Sequence, residues 1–215
     1  MPTKDIFAVT PFYPDETDNE INNSILLLKG EVGKLSAATH PLTAKSLAEL
    51  VVTMNSYYSN LIEGHFTHPL DVEKATKKDY STDKEKKLLQ LESVAHIEVN
   101  KAMRQRLKEE NINVSSSDFL CWLHHSFYEH LPKKMRSIKS NINEVWEVIP
   151  GEIRVRDVEV GRHIAPSHES LQSFLTAFDE NYSPRHIKSN AKRILAAAAS
   201  HHRLAWIHPF LDGNG

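Results

Sequence analysis

Long apolar runs are what this sequence most clearly lacks. The longest low-polarity stretch, Ile194 to Ser200, is far short of the roughly 20 residues a membrane helix needs, so a transmembrane span is not expected. The first residues, MPTKDIFAVTPFYPDETD, contain no apolar core of a secretory signal, and a cytoplasmic location is the expectation. A single cysteine, Cys121, rules out an internal disulfide framework and suits a reducing compartment. Charge of one sign is also missing: a net charge of −2 gives no reason to expect nucleic-acid or anionic-membrane partners. The 13 histidines are scattered without metal-ligand spacing, and no internal repeat is present.

What is present is a globular composition, 40% hydrophobic and 25% charged, with a strong helical period. Residues 1–42, rich in Pro, Asp and Asn, read as a loosely structured arm. Residues 43–112 read as a helical region. Within it Leu47, Leu50, Val51, Met54, Tyr58, Leu61 and Ile62 recur at three- and four-residue steps. Ser46 with Glu49 offers a capping box for that helix, and Gly64 a stop. The charged stretch Lys74–Lys87 reads as a solvated loop and helix face, and Thr82 with Glu85 opens a long helix to about Glu110.

Residues 113–215 begin with a helix after Ser115–Ser117 that Pro132 limits. The one β signal is Glu152–Ala165, where Gly161-Arg162 fits a two-residue type II′ turn. Two more helices come after it, the last from about Arg185 to Trp206. The fold class is mostly α with one small β-hairpin. The paired histidines His124-His125 and His201-His202 fall on helices and read as core or surface residues.

The last helix delivers the chain into His208-Pro209-Phe210-Leu211-Asp212-Gly213-Asn214-Gly215. Taken singly, Asp-Gly and Asn-Gly are turn dipeptides and His-Pro a helix terminator. Together they supply the parts of a phosphate-handling loop. Gly213, Asn214 and Gly215 allow successive N–H groups to face one concavity. Asp212 is a hard oxygen ligand suited to Mg²⁺. His208, with an ordinary pKa of about 6.5, suits a general base near neutral pH.

The octapeptide resembles the Fic family signature, His-Pro-Phe-x-Asp/Glu-Gly-Asn-Gly/Lys-x-x-Arg, matching from His208 through Gly215, with Trp206-Ile207 as the usual run-in. Gly151-Glu152-Ile153-Arg154 and the hairpin after it resemble the family's flap. Ser59-Asn60-Leu61-Ile62-Glu63-Gly64, with Glu63 lying 145 residues before His208, resembles the inhibitory motif of class II members. The resemblance implies a Fic-type helical bundle and a protein adenylyltransferase moving AMP from ATP to a Ser, Thr or Tyr hydroxyl of a target protein.

By position it makes His208 the base, Asp212 the Mg²⁺ ligand, and Gly213, Asn214 and Gly215 the nucleotide-phosphate cradle. It makes Glu63 the inhibitory acid, flanked by Ser59 and Gly64. Flap residues Arg156, Val158, Val160, Gly161 and Ile164 would dock an extended target segment by main-chain pairing, with self-modification a further expectation. The family pattern continues with Arg-x-x-Arg on another helix. The 215 residues contain neither arginine, so the expectation is a core lacking its C-terminal helices and a chain inactive or impaired as it stands. Two alternatives stay open: transfer of another group (phosphate, UMP or phosphocholine), and a non-catalytic binding or regulatory fragment.

Overall fold

The computed structural model describes residues 1–62, 64–139 and 143–214. Among them are seven α-helices: α1 (Asn19–Ala38), α2 (Pro41–Ile62), α3 (Pro69–Thr76), α4 (Lys84–Glu109), α5 (Ser117–Glu129), α6 (Leu171–Tyr182) and α7 (Asn190–Ile207). Two antiparallel hairpins pair β1 (Ser137–Lys139) with β2 (Val145–Glu147) and β3 (Glu159–Val160) with β4 (His163–Ile164). The mostly-α expectation is met, with one hairpin more than the sequence suggested. No described helix is long and apolar enough to cross a membrane.

The chain divides into two compact units. The second, residues 30–111 and 126–136, is built around α2, α3 and α4. Val52, Val72 and Ile97 form its apolar centre. A polar seam runs beside them: Ser56 Oγ donates to the Ser93 carbonyl at 3.0 Å, and Asn60 Nδ2 donates to Ser93 Oγ at 2.9 Å.

Helix α2 starts at Pro41, earlier than the Ser46–Glu49 box suggested. Ser46 is inside the helix, where its hydroxyl bonds back to the Leu42 carbonyl at 3.3 Å. The end of α2 is a Schellman motif, in which Gly64 at φ 81° lets His65 N–H reach the Asn60 carbonyl and its own N–H reach Leu61. Glu63 lies outside the described residues. Part of the charged stretch is helical, because His68 caps α3 and Pro69 takes a first-turn position. Asp83, rather than Thr82, caps α4, accepting from Lys86 N–H at 2.9 Å.

The first unit, residues 1–29, 112–125 and 137–215, has the larger core. Leu171, Phe174, Leu175 and Phe178 from α6 meet Ala196 and Ile207 from α7, with Leu120 and Phe210 closing the cluster. The start of α5 is fastened to α6, since Asn113 Nδ2 and Ser115 Oγ both donate to Asp179 at 2.7 and 2.6 Å.

The N-terminal residues, expected to be loose, are partly ordered by specific contacts. Val9 is fully buried in the core. Tyr13 Oη donates to the Asn181 carbonyl at 2.7 Å, Tyr182 Oη donates to the Phe12 carbonyl, and Ser167 N–H donates to the Thr3 carbonyl at 2.8 Å. Asp18 then caps α1 through the N–H groups of Glu20 and Ile21. Residues 1–18 are therefore a strap over α6 and α7, and 19–38 are helix.

Candidate active site

Helix α7 ends for two local reasons. Pro209 cannot continue the ladder, and His208 turns into the left-handed region at φ 52°, ψ 61° while its N–H still reaches the Leu204 carbonyl at 2.9 Å. A non-glycine residue held there costs of order 1–2 kcal/mol, and the neighbours must supply it. Ile207 and Pro209 are both fully buried, so His208 is held between two fixed points.

Arg154 supplies the rest. Its side chain has no exposed surface, yet it carries a guanidinium. Nε donates to the His208 carbonyl at 2.7 Å, Nη1 to the Arg156 carbonyl at 2.8 Å, and Nη2 to the Pro166 carbonyl at 2.6 Å. Its main-chain N–H donates to the Pro209 carbonyl at 3.0 Å. One residue thus ties both ends of the β3–β4 hairpin to the turn after α7. Burial pushes the guanidinium down to about 10, so it stays charged at neutral pH.

Two other anchors converge on the same turn. Gly151 N–H donates to His124 Nδ1 at 2.8 Å, and His124 Nε2 lies 3.2 Å from the Asp212 carbonyl. The His124 ring stacks on Phe210, with centroids 4.1 Å apart and planes 9° from parallel. Gly151 is glycine for cause: φ is +82°, and a Cβ would lie 3.0 Å from His125 Cβ and 3.1 Å from the Cys121 carbonyl. From β4, His163 Nε2 lies 2.7 Å from the Trp206 carbonyl and acts as its donor.

Asn214 closes the loop on itself. Its Oδ1 accepts from Phe210 N–H at 2.8 Å and its Nδ2 donates to the Phe210 carbonyl at 3.0 Å. The carbonyls of His208, Pro209, Phe210 and Asp212 are therefore all taken by the protein. Among the described residues, the N–H groups of Leu211, Asp212 and Gly213 donate to nothing, and Asp212 and Gly213 are exposed. Gly213 adopts φ 69°, which keeps this stretch curved. With the turn's acceptors used by the protein, these three N–H groups are the donors it has left to offer an anion.

Residues 114–215 match the model of the Fic/DOC family. Over that stretch the chain is similar to the family. Similar curated proteins are the Protein adenylyltransferase Fic of Drosophila erecta, 40% identical over 65 residues, and those of Drosophila ananassae and Drosophila virilis, each 37% identical over 65. The matched stretch is 30% of this chain and 13% of each relative's length.

Within this Fic/DOC region the turn brings together His208, Asp212, Gly213 and Asn214. The β3–β4 hairpin presents Arg156, Val160, Gly161 and Ile164 exposed, with Val158 half-buried and its carbonyl accepting from Ala165 N–H. Gly161 at φ 61° opens the two-residue turn with Arg162, while each strand is only two residues long. Arg156 lies over the Trp146 ring, 4.8 Å from its centroid. Ser59 and Gly64 belong to the other unit, and Gly215 is outside the described residues.

Burial pushes the His208 imidazole down, and the nearby Arg154 and His163 push the same way. A hydrogen bond to the Ala205 carbonyl and the charge of Asp212 oppose them. The outcome is a neutral ring at neutral pH. Burial pushes His124 down to about 4. Sequence reasoning missed Arg154, His124 and His163 as parts of the site. The only signal for the first was its place in Gly151-Glu152-Ile153-Arg154.

Proposed function

We propose that the protein transfers AMP from ATP to a Ser, Thr or Tyr hydroxyl on a target protein, from a cytoplasmic location. The observation that carries this is that the N–H groups of Leu211, Asp212 and Gly213 donate to nothing among the described residues, in the turn that begins at a neutral His208. The named adenylyltransferases among its relatives support the choice of group.

In this reading the loop amides bind the nucleotide phosphates, and His208 accepts the proton of the attacking hydroxyl. The hydroxyl oxygen bonds to the α-phosphorus, the bond from that phosphorus to the α–β bridging oxygen breaks, and pyrophosphate leaves. The proton is retained on the His208 ring. Asp212 is an exposed carboxylate next to the amides. As a lone hard-oxygen ligand beside these amides, Asp212 would hold a Mg²⁺ ion that accompanies the nucleotide. That cation supplies charge neutralisation on the phosphates.

The target segment lies along Arg156–Ile164, recognised by main-chain pairing more than by sequence. Glu63, bracketed by Ser59 and Gly64, restrains the site as an inhibitory acid.

Incubation with α-labelled and γ-labelled ATP tests the reading. Label from the α position alone is expected on protein. Label from the γ position would make it a phosphotransferase, and transfer from neither, in the longest natural form of the protein, would leave a binding module. Glu63→Gly is expected to raise self-modification, and no rise would remove the inhibitory role. His208→Ala is expected to abolish transfer while nucleotide binding persists.

A further inference from the structure

His124 stands on α5 with both ring nitrogens committed. Because Nδ1 accepts from Gly151 N–H, the proton of the neutral ring is on Nε2, which therefore donates to the Asp212 carbonyl. The ring also lies flat on Phe210, whose N–H and carbonyl are both bonded by Asn214. His124 thus grips the turn at two points two residues apart.

The Asp212 carbonyl and the Gly213 N–H belong to one planar trans peptide, so they point in opposite directions. Whatever fixes the carbonyl fixes the amide. Resting on the transferase reading, we infer that His124 is a positioning residue: by holding the Asp212 carbonyl inward it aims the Gly213 N–H at the nucleotide phosphate. His124 touches neither substrate nor proton in transit. Its Gly151 arm serves a different end, since that bond seats the start of the Arg154 segment against α5.

The two arms can be cut separately. A glutamine amide nitrogen overlays Nε2 and keeps the donor to Asp212, whereas an asparagine oxygen overlays Nδ1 and keeps the acceptor for Gly151. The probe is inorganic pyrophosphate, titrated into ¹⁵N-labelled protein while the Leu211, Asp212 and Gly213 amides are followed by NMR. Long-range ¹H–¹⁵N spectra assign the His124 tautomer, and thermal melting reports the fold.

His124→Asn is expected to melt close to the parent and bind pyrophosphate about tenfold more weakly, in keeping with one charge-assisted amide bond lost. His124→Gln is expected to bind within about threefold of the parent even if it melts lower. A proton on Nδ1, or an asparagine variant that binds like the parent while glutamine fails, would overturn the inference. If pyrophosphate leaves the parent's amides unmoved, the transferase reading fails. The positioning role is then decided by the tautomer and by whether His124→Asn displaces the Gly213 amide resonance.

Discussion

Replacing Arg154 by methionine should cost about 3–5 kcal/mol. Methionine fills much of the same volume but offers no donor. Three carbonyls, those of His208, Arg156 and Pro166, then lose partners at 2.6–2.8 Å. A hydrogen bond from a charged group contributes about 1.5–3 kcal/mol, so simple addition would exceed 5 kcal/mol. Two effects reduce that sum. The guanidinium no longer has to be desolvated, and the hairpin ends can turn their carbonyls toward water. Asp157, 4.0 Å from Nη1 and partly exposed, adds little. The main-chain bond to Pro209 survives the substitution.

Urea unfolding followed by tryptophan fluorescence is the assay. Trp122, Trp146 and Trp206 all lie in the unit that holds Arg154, so the signal reports that unit. Arg154→Lys should fall between, since a lysine cannot present a planar fork to three separate carbonyls. A loss below about 1 kcal/mol for Arg154→Met would refute the claim that this residue holds the turn together.

Gly151→Ala and Gly161→Ala form a matched pair, because both glycines have positive φ. At Gly161 the added methyl meets open space, so only backbone strain of about 1 kcal/mol is expected. At Gly151 it meets the Cys121 carbonyl and His125 as well, and at least about 2 kcal/mol is expected; equal melting temperatures would contradict this. His96, packed 4.6 Å from the Phe127 ring and pushed down by burial to about 4, binds a proton less readily folded than unfolded. Its contribution is therefore complete above about pH 6.5 and is lost as pH falls toward 4, by at most about 3 kcal/mol. Urea midpoints should drop across that window, and His96→Phe should flatten the drop.

The long helices were legible because their apolar positions repeat. Helix α1 was not, although Ile21, Ile25, Leu28, Val32 and Leu35 keep the same step. Interleaved asparagines and glycines weaken the pattern, and of the helix only Ile25 is buried. The β1–β2 hairpin, with Ser-Ile-Lys against Val-Trp-Glu, is too short for alternation to register. The chemistry-bearing octapeptide was visible because its side chains are its signal. Arg154 and His124 act on carbonyl oxygens, and every residue has one. No local pattern marks which carbonyl a distant side chain will meet.

The strap over α6 and α7 has a consequence for the order of events during synthesis. Phe12 is made 170 residues before the Tyr182 whose hydroxyl it receives. Val9 likewise emerges long before the helices that bury it. Until those helices leave the ribosome the strap has no seat, whereas α2, α3 and α4 lie close together along the chain and can pack early. The unit carrying His208 is therefore expected to close last, and its strap is an exposed apolar liability for most of the chain's translation.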